Sequence, residues 1–132
     1  IWEPWGGVPG HKSCILIPRF HEWSVLLGLM ASHTFSMLVK PFRGSLSDTG
    51  QDQLAMTPLP IKIKNRDRLM MAVKEIIKQK KDGAQIRRND NKWKNIDSII
   101  SDSYHLNEDD KKEVDRWASR RFTRPGVVYD NG

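Results

Sequence analysis

Apolar side chains recur along the chain in two patterns, one typical of helices and one of short strands. From Glu22 to Val39 they return every three or four residues, which predicts a helix buried on most sides and ended by Pro41. Residues 14–18 form a short apolar run stopped by proline, as in a buried strand, and residues 61–64 alternate like an edge strand. The first half therefore predicts short strands and loops around one buried helix.

The second half of the chain predicts three more helices. Asn65 is expected to cap a helix over 66–81, and a third helix is predicted over about 92–104. A fourth follows Asn107, and Asp110 stands three residues later, as in a capping box. The acidic residues that open the fourth helix thus have a structural explanation and do not indicate a catalytic carboxylate cluster. The predicted fold class is α+β, with a C-terminal helical hairpin region after the strands and the buried helix.

The net charge of +6 is concentrated in one stretch of the chain. Residues 62–94 carry twelve basic and four acidic side chains. Residues 1–61 carry four of each, and residues 95–118 carry three basic and seven acidic ones. Such a basic block is typical of a protein that binds a polyanion, and equally of a solvated helix face.

Few residues suit redox or metal chemistry. Cys14 is the only cysteine, so no internal disulfide can form, which favours a reducing, cytoplasmic location. The four histidines lie far apart and lack the spacing of metal ligands, so no metal site is expected. The most apolar window, residues 23–39, is interrupted by polar residues and falls short of the roughly 20 that span a bilayer, so it predicts a buried helix.

Three segments resemble, in the same order, the specificity domains of TaqI-like adenine-N6 DNA methyltransferases. Residues 26–32 read Leu-Leu-Gly-Leu-Met-Ala-Ser, similar to the family's leucine-leucine-glycine-leucine-leucine-asparagine-serine helix. Residues 59–61 read Leu-Pro-Ile, similar to its leucine-proline-isoleucine-proline element. Residues 96–110 are similar to its C-terminal hairpin, which runs isoleucine-aspartate and then leucine-tyrosine-glycine-leucine-threonine-glutamate-glutamate. The chain departs from these motifs at four positions: Ala31 for asparagine, Lys62 for the second proline, Ser103 for leucine and His105 for glycine.

The resemblance implies a target-recognition module with three parts. Residues 1–64 would be the target-recognition part, with a strand, the buried helix and a DNA-facing loop. Residues 65–121 would hold the basic helix and the C-terminal helical hairpin, and residues 122–132 a tail. The implied partners are double-stranded DNA and an upstream methyltransferase catalytic domain, with no membrane.

We expect catalysis to be supplied by an upstream domain or by another chain. The family's Asn/Asp-Pro-Pro-Tyr/Phe motif, which holds the flipped adenine, does not occur here, and neither does a glycine-rich turn suited to S-adenosylmethionine. We therefore assign no catalytic residue and no bound cofactor to this segment, and expect S-adenosylmethionine in the parent restriction-modification or phage-defence enzyme. Small basic chains rich in tryptophan and proline at an extended end also suit an RNA-binding structural subunit of a ribonucleoprotein, such as a mitochondrial ribosome. That alternative stays open.

Candidate DNA contacts are basic, amide and hydroxyl side chains in the predicted loops, since Lys and Arg bind phosphates and amides can read base edges. They are Lys12, Lys40, Arg43, Ser45, Gln51, Gln53, Arg87 and Arg88. Arg43, beside Gly44 in the loop after the first helix, is the first choice for a base or phosphate contact. Lys92 and Lys94 are further candidates for phosphate contacts.

Overall fold

The computed structural model describes residues 18–19, 22–43, 51–86 and 90–121, and every regular element in these ranges is a helix. The helices of these ranges are α1 Trp23–Ala31, α2 His33–Arg43, α3 Gln51–Met56, α4 Arg66–Lys81, α5 Asn91–Ser103 and α6 Glu108–Arg121. The predicted α+β fold class is therefore wrong. Most of the expected strand at 14–18 and all of the tail 122–132 lie outside the described residues.

Residues 61–64 form an irregular loop that leads into α4, not the predicted edge strand. Ile63 is partly buried against the core, whereas Ile61 is fully exposed. The backbone N–H of Lys64 donates to Ser103 Oγ at 3.0 Å, so a side chain of α5 stands where a partner strand was expected. The alternation misled because it records which side chains are buried, and an anchored loop can produce the same pattern as a strand.

The predicted helix from Glu22 to Val39 is in fact two helices that meet at Ser32. This residue leaves the helical conformation, with φ −71° and ψ 151°, and its backbone N–H donates to the carbonyl of Leu29. Its hydroxyl donates to the same carbonyl at 2.7 Å and accepts from the backbone N–H of Phe35 at 3.2 Å. One serine thus ends α1 and caps α2. No helix in the described ranges is long and apolar enough to cross a membrane.

α2 continues past Pro41 to Arg43, so the predicted helix end at Pro41 is wrong. Proline lacks the N–H that would bond the carbonyl four residues back, and its ring crowds that carbonyl, so α2 ends only two residues after Pro41. α3 then begins at Gln51. The sequence predicts a polar loop over residues 42–53, after the first helix. The structure has helix at both ends of this stretch, and residues 44–50 lie outside the described residues.

α4 and α5 hold the centre of the core, and α1 packs against α4. The most deeply buried apolar side chains include Leu69 of α4 and Ile96 and Ile100 of α5, each 0% exposed. Gly28 lies where α1 approaches α4, because a β-carbon there would be 2.8 Å from Leu69 Cδ1 and 3.0 Å from Val73 Cγ2. The absence of a side chain at Gly28 therefore allows the two helices to pack this closely.

A short turn joins α5 to α6, and the predicted capping box at its end is confirmed. Asn107 Oδ1 accepts from the backbone N–H of Asp110 at 2.8 Å, and Asp110 Oδ2 accepts from that of Asn107 at 3.2 Å. His105 in this turn has a φ of +57°, in the left-handed region. Lys111 Nζ lies 2.9 Å from Asp102 Oδ1, so an ion pair also ties the start of α6 to the end of α5.

Candidate nucleic-acid interface

Seven basic side chains between residues 62 and 80 are exposed to solvent, and six of them differ from Lys74 in having no described ion-pair partner. Within the described part of the chain none of these six takes part in an ion pair. They are Lys62, Lys64, Arg66, Arg68, Lys78 and Lys80, and we call them the unpaired basic set. No described neighbour holds these cations in an ion pair, although Asp67 lies between Arg66 and Arg68 in the first turn of α4. Their charge therefore remains available to an anionic ligand.

Lys74 on the same helix has a different role. Its Nζ lies 3.1 Å from Glu22 Oε1 and 5.9 Å from the centre of the Trp23 ring. The side chain of Glu22 also caps α1 by accepting from the backbone N–H of Ser24 at 3.0 Å. The hydrogen bond from the Ser24 side chain, followed by that from Lys74, lowers the pKa of Glu22 below its usual value. Lys74 therefore holds α1 against α4 and is not part of the unpaired basic set.

The acidic residues of α6, in contrast, are mostly compensated within their own helix. Three ion pairs at i,i+3 spacing join Glu108 to Lys111, Asp109 to Lys112 and Glu113 to Arg116, at 3.0, 3.5 and 2.9 Å. The negative charge of α6 is thus locally balanced, whereas the positive charge of the unpaired basic set is not. No group of three or more His, Cys, Asp or Glu side chains in the described residues could hold a metal ion.

The helix dipole accounts for the basic residues at the carboxyl end of α4 but not for those at its amino end. Lys78 and Lys80 lie in the last turn, where the helix dipole favours cations. Arg66 and Arg68 lie in the first turn, where the dipole favours anions, so the helix itself gives no reason for them. The start of α4 therefore joins two helical arginines with the lysines at 62 and 64, which directly precede it.

The amino end of α4 also lacks the side-chain cap that other helices of the described ranges have. Asn65 occupies the predicted cap position, but its φ is +50° and its side chain makes no capping hydrogen bond. Glu22 caps α1, and Asp90 caps α5 by accepting from the backbone N–H of Lys92. Uncapped N–H groups at a helix start are hydrogen-bond donors suited to a phosphate. Basic side chains and backbone donors therefore coincide at the start of α4.

The structure describes the positions of some of the predicted site residues but not their side chains. Lys40 and Arg43 lie in the last turn of α2, and Gln51 and Gln53 open α3, which packs against α2. The described residues do not include Lys12, Ser45, Arg87 and Arg88. These eight assignments stay predictions. Of the two further candidates for phosphate contacts, Lys92 has its Nζ 3.6 Å from Asp90 Oδ1, and Lys94 is exposed.

The basic block is visible in the sequence, but Arg66 and Arg68 were not among the predicted site residues. A signal was present, because neither arginine has an acidic residue three or four positions away, the spacing that pairs side chains on a helix. The missing side-chain cap of α4, in contrast, could not be predicted from the sequence. Asn65 is a good capping residue by type, and only the backbone geometry shows that its side chain does not cap.

Comparisons with known proteins found no relative of this chain. No family model, no curated protein and no solved structure matches the chain. A function must therefore be inferred from the chain's own residues and their arrangement.

Proposed function

We propose that this chain recognises duplex DNA for a site-specific adenine-N6 DNA methyltransferase or methyltransferase-restriction enzyme. Catalysis and S-adenosylmethionine binding are supplied by an upstream domain or by another chain, and the protein works in the cytoplasm. The observation that carries the DNA-binding part is the unpaired basic set, above all the four cations at and before the first turn of α4.

Electrostatics links that observation to DNA. Exposed Lys and Arg side chains release counterions when they bind phosphates, and uncapped helix N–H groups add directed hydrogen bonds. Four phosphate contacts give a slope of log affinity against log salt of about −3.6, since each contributes about −0.9. Affinity should then fall roughly 100-fold between 50 and 200 mM salt. An exposed cation that serves only for solubility contributes no such slope.

The methyltransferase part of the proposal depends on the three resembling segments, and two of their glycine positions have a physical reason here. Gly28, the glycine of the first segment, lies at the close approach of α1 and α4. His105 replaces the glycine of the hairpin motif, and its φ of +57° is a conformation that glycine adopts most easily. Asn107 stands where that motif has threonine, and both residues are good helix caps. These agreements support the resemblance at the level of backbone geometry.

A charge-matched pair of variants tests the DNA-binding part. Arg66→Gln/Arg68→Gln removes two unpaired cations, and Lys112→Gln/Arg116→Gln removes two that are ion-paired on α6. Binding of a dye-labelled duplex is followed by fluorescence anisotropy between 50 and 200 mM salt. The first variant should lose about two units of salt slope, and the second less than half a unit. Equal slopes for both variants would contradict the proposal, as would a wild-type chain that binds no better than an acidic control protein.

The same assay separates DNA from RNA. Unlabelled duplex DNA and duplex RNA of one sequence compete for the bound chain. A DNA-recognition segment should be displaced more readily by the DNA. Stronger displacement by the RNA would favour the ribonucleoprotein alternative and overturn the present proposal.

The enzymatic part needs the chain together with its catalytic partner. Transfer of a labelled methyl group from S-adenosylmethionine to adenine is measured on a DNA library that contains many sequences. We expect methylation at one defined sequence, and Arg66→Gln/Arg68→Gln should raise the KM for DNA while leaving kcat nearly unchanged. No methylation of adenine by the complete protein would refute this part and leave the binding result standing.

A further inference from the structure

Exposed apolar side chains are concentrated in the segment before α4. Of the five exposed large hydrophobic residues in the described ranges, three lie within residues 56–61: Met56, Leu59 and Ile61. Isolated exposed apolar residues are common on protein surfaces, but a local concentration indicates a contact site. Ile61 is the extreme case, at 105% of the reference exposure.

The segment that carries Ile61 is fixed to α5 on both sides of this residue. On one side, the hydroxyl of Tyr104 donates to the carbonyl of Pro58 at 2.7 Å. On the other side, the backbone N–H of Lys64 donates to Ser103 Oγ at 3.0 Å. A tyrosine hydroxyl keeps its proton at neutral pH, and burial raises the pKa of Tyr104 further, to about 12, so the hydroxyl remains a donor.

Packing adds to these two hydrogen bonds. Thr57 is buried at the start of the segment, and Ile63 packs partly against the core near its end. Pro58 and Pro60 restrict the backbone between them. The exposure of Ile61 therefore belongs to an anchored loop, and little conformational entropy would be lost if a ligand contacted it.

The charge around Ile61 identifies the kind of ligand. Lys62 and Lys64 belong to the unpaired basic set, and Arg66 and Arg68 follow at the start of α4. Residues 53–66 contain no acidic side chain. An exposed apolar side chain followed directly by cations matches a groove of duplex DNA, where the rims are phosphates and base edges offer apolar contacts such as the thymine methyl group.

We propose that the anchored loop 57–65 enters a groove of duplex DNA, with Ile61 in apolar contact with base edges and with Lys62 and Lys64 on the phosphates beside it. This inference rests on the proposed function and adds to it a loop and a residue that can read bases. Phosphate contacts alone set position on the duplex, whereas an apolar contact with base edges distinguishes sequences.

Three single variants of the 132-residue chain test the inference by anisotropy with labelled duplex DNA at several salt concentrations. Ile61→Ala should weaken binding about tenfold and leave the salt slope unchanged, because it removes buried apolar area but no phosphate contact. Lys62→Gln should weaken binding and reduce the slope by about one unit. Met71→Ala is the matched control, an exposed apolar residue on α4 (73% exposed), and should leave both quantities unchanged.

The possible failures are distinguishable. If the wild type binds with a steep salt slope and Ile61→Ala binds as tightly, the loop inference is wrong and the proposed function stands. If the wild type does not bind duplex DNA, both are wrong. Sedimentation of the protein alone tests whether the loop instead contacts a second copy of the chain. A dimer that Ile61→Ala dissociates would assign the loop to that contact and overturn the inference. Unchanged thermal unfolding of Ile61→Ala would show that a loss of binding does not come from a loss of fold.

Discussion

Replacing Gly28 by alanine tests whether α1 and α4 pack as closely as the structure indicates. The added β-carbon would lie 2.8 Å from Leu69 Cδ1, 3.3 Å from Leu69 Cγ and 3.0 Å from Val73 Cγ2. Leu69 is 0% exposed and Val73 is 4% exposed. Neither side chain can turn toward solvent, so the clash must be relieved by moving the helices or by forcing an unfavourable rotamer.

Two opposing effects set the magnitude. Alanine is better than glycine inside a helix by about 0.8–1.0 kcal/mol. Overpacking of a tight core costs about 1–3 kcal/mol. The close contact should win, and Gly28→Ala should lower the free energy of unfolding by about 1 kcal/mol, which is the difference between the middle of the second range and the first.

A double-mutant cycle with Leu69→Ala measures the contact directly. Urea unfolding is followed for the four proteins of the cycle, all in the same stabilising osmolyte because Leu69→Ala alone costs about 2–5 kcal/mol. With the leucine removed, Gly28→Ala should become stabilising by about 0.5 kcal/mol, since helix propensity then outweighs the remaining contact with Val73. A Gly28→Ala protein that is more stable than wild type by about 1 kcal/mol in the presence of Leu69 would refute the close packing of these helices.

Three further substitutions have expected effects on stability. Asn107→Ala should cost about 1 kcal/mol in urea unfolding, because it removes the cap of α6; no loss would contradict the capping box. His105→Gly should be neutral or slightly stabilising by thermal unfolding, because the release of left-handed strain offsets the greater freedom of glycine in the unfolded chain; a clear loss would contradict the positive φ. Burial and then the Asp97 carboxylate raise the pKa of Asp115 above 3.8, so its ionised form destabilises the fold at neutral pH. Asp115→Asn should therefore stabilise the protein at pH 7, and the gain should vanish as the pH falls toward 3.8; a gain that does not change with pH would show another cause.

The helices of the second half could be predicted from the sequence because their signals are local. The 66–81 helix has the predicted bounds, and α5 begins and ends within one residue of 92–104. The capping box at Asn107 needs only residues three positions apart. Periodicity and capping chemistry are contained in such short windows, and they failed in the second half only at Asn65, whose side chain does not make the predicted cap of α4.

The first half was predicted less well because distant residues decide its structure. The break at Ser32 is stabilised in part by Asp97, whose carboxylate accepts from the backbone N–H of His33 at 2.9 Å across 64 positions of sequence. The loop at 61–64 is held by Ser103. Neither partner can be identified from local periodicity, so one helix was predicted in place of two and a strand in place of an anchored loop.

The candidate site shows the same limit. The sequence locates the basic block, but not which cations are already neutralised within the fold. Lys74 on α4 is paired with Glu22, which precedes α1, so three helices separate the two partners in sequence. Lys62 and Lys64, which alternate with isoleucines and suggested an edge strand, instead belong to the unpaired basic set.

Protection of individual lysines by duplex DNA tests the central claim most directly, because it uses the unchanged chain. The protein is acetylated briefly at low salt, with and without a saturating DNA duplex, and the extent at each lysine is read by mass spectrometry. Lys62 and Lys64 should be protected several-fold, while Lys112, which is ion-paired on α6 with a side chain 68% exposed, should react equally in both samples. Equal protection of all three lysines, or protection of Lys112 alone, would contradict DNA binding by the start of α4.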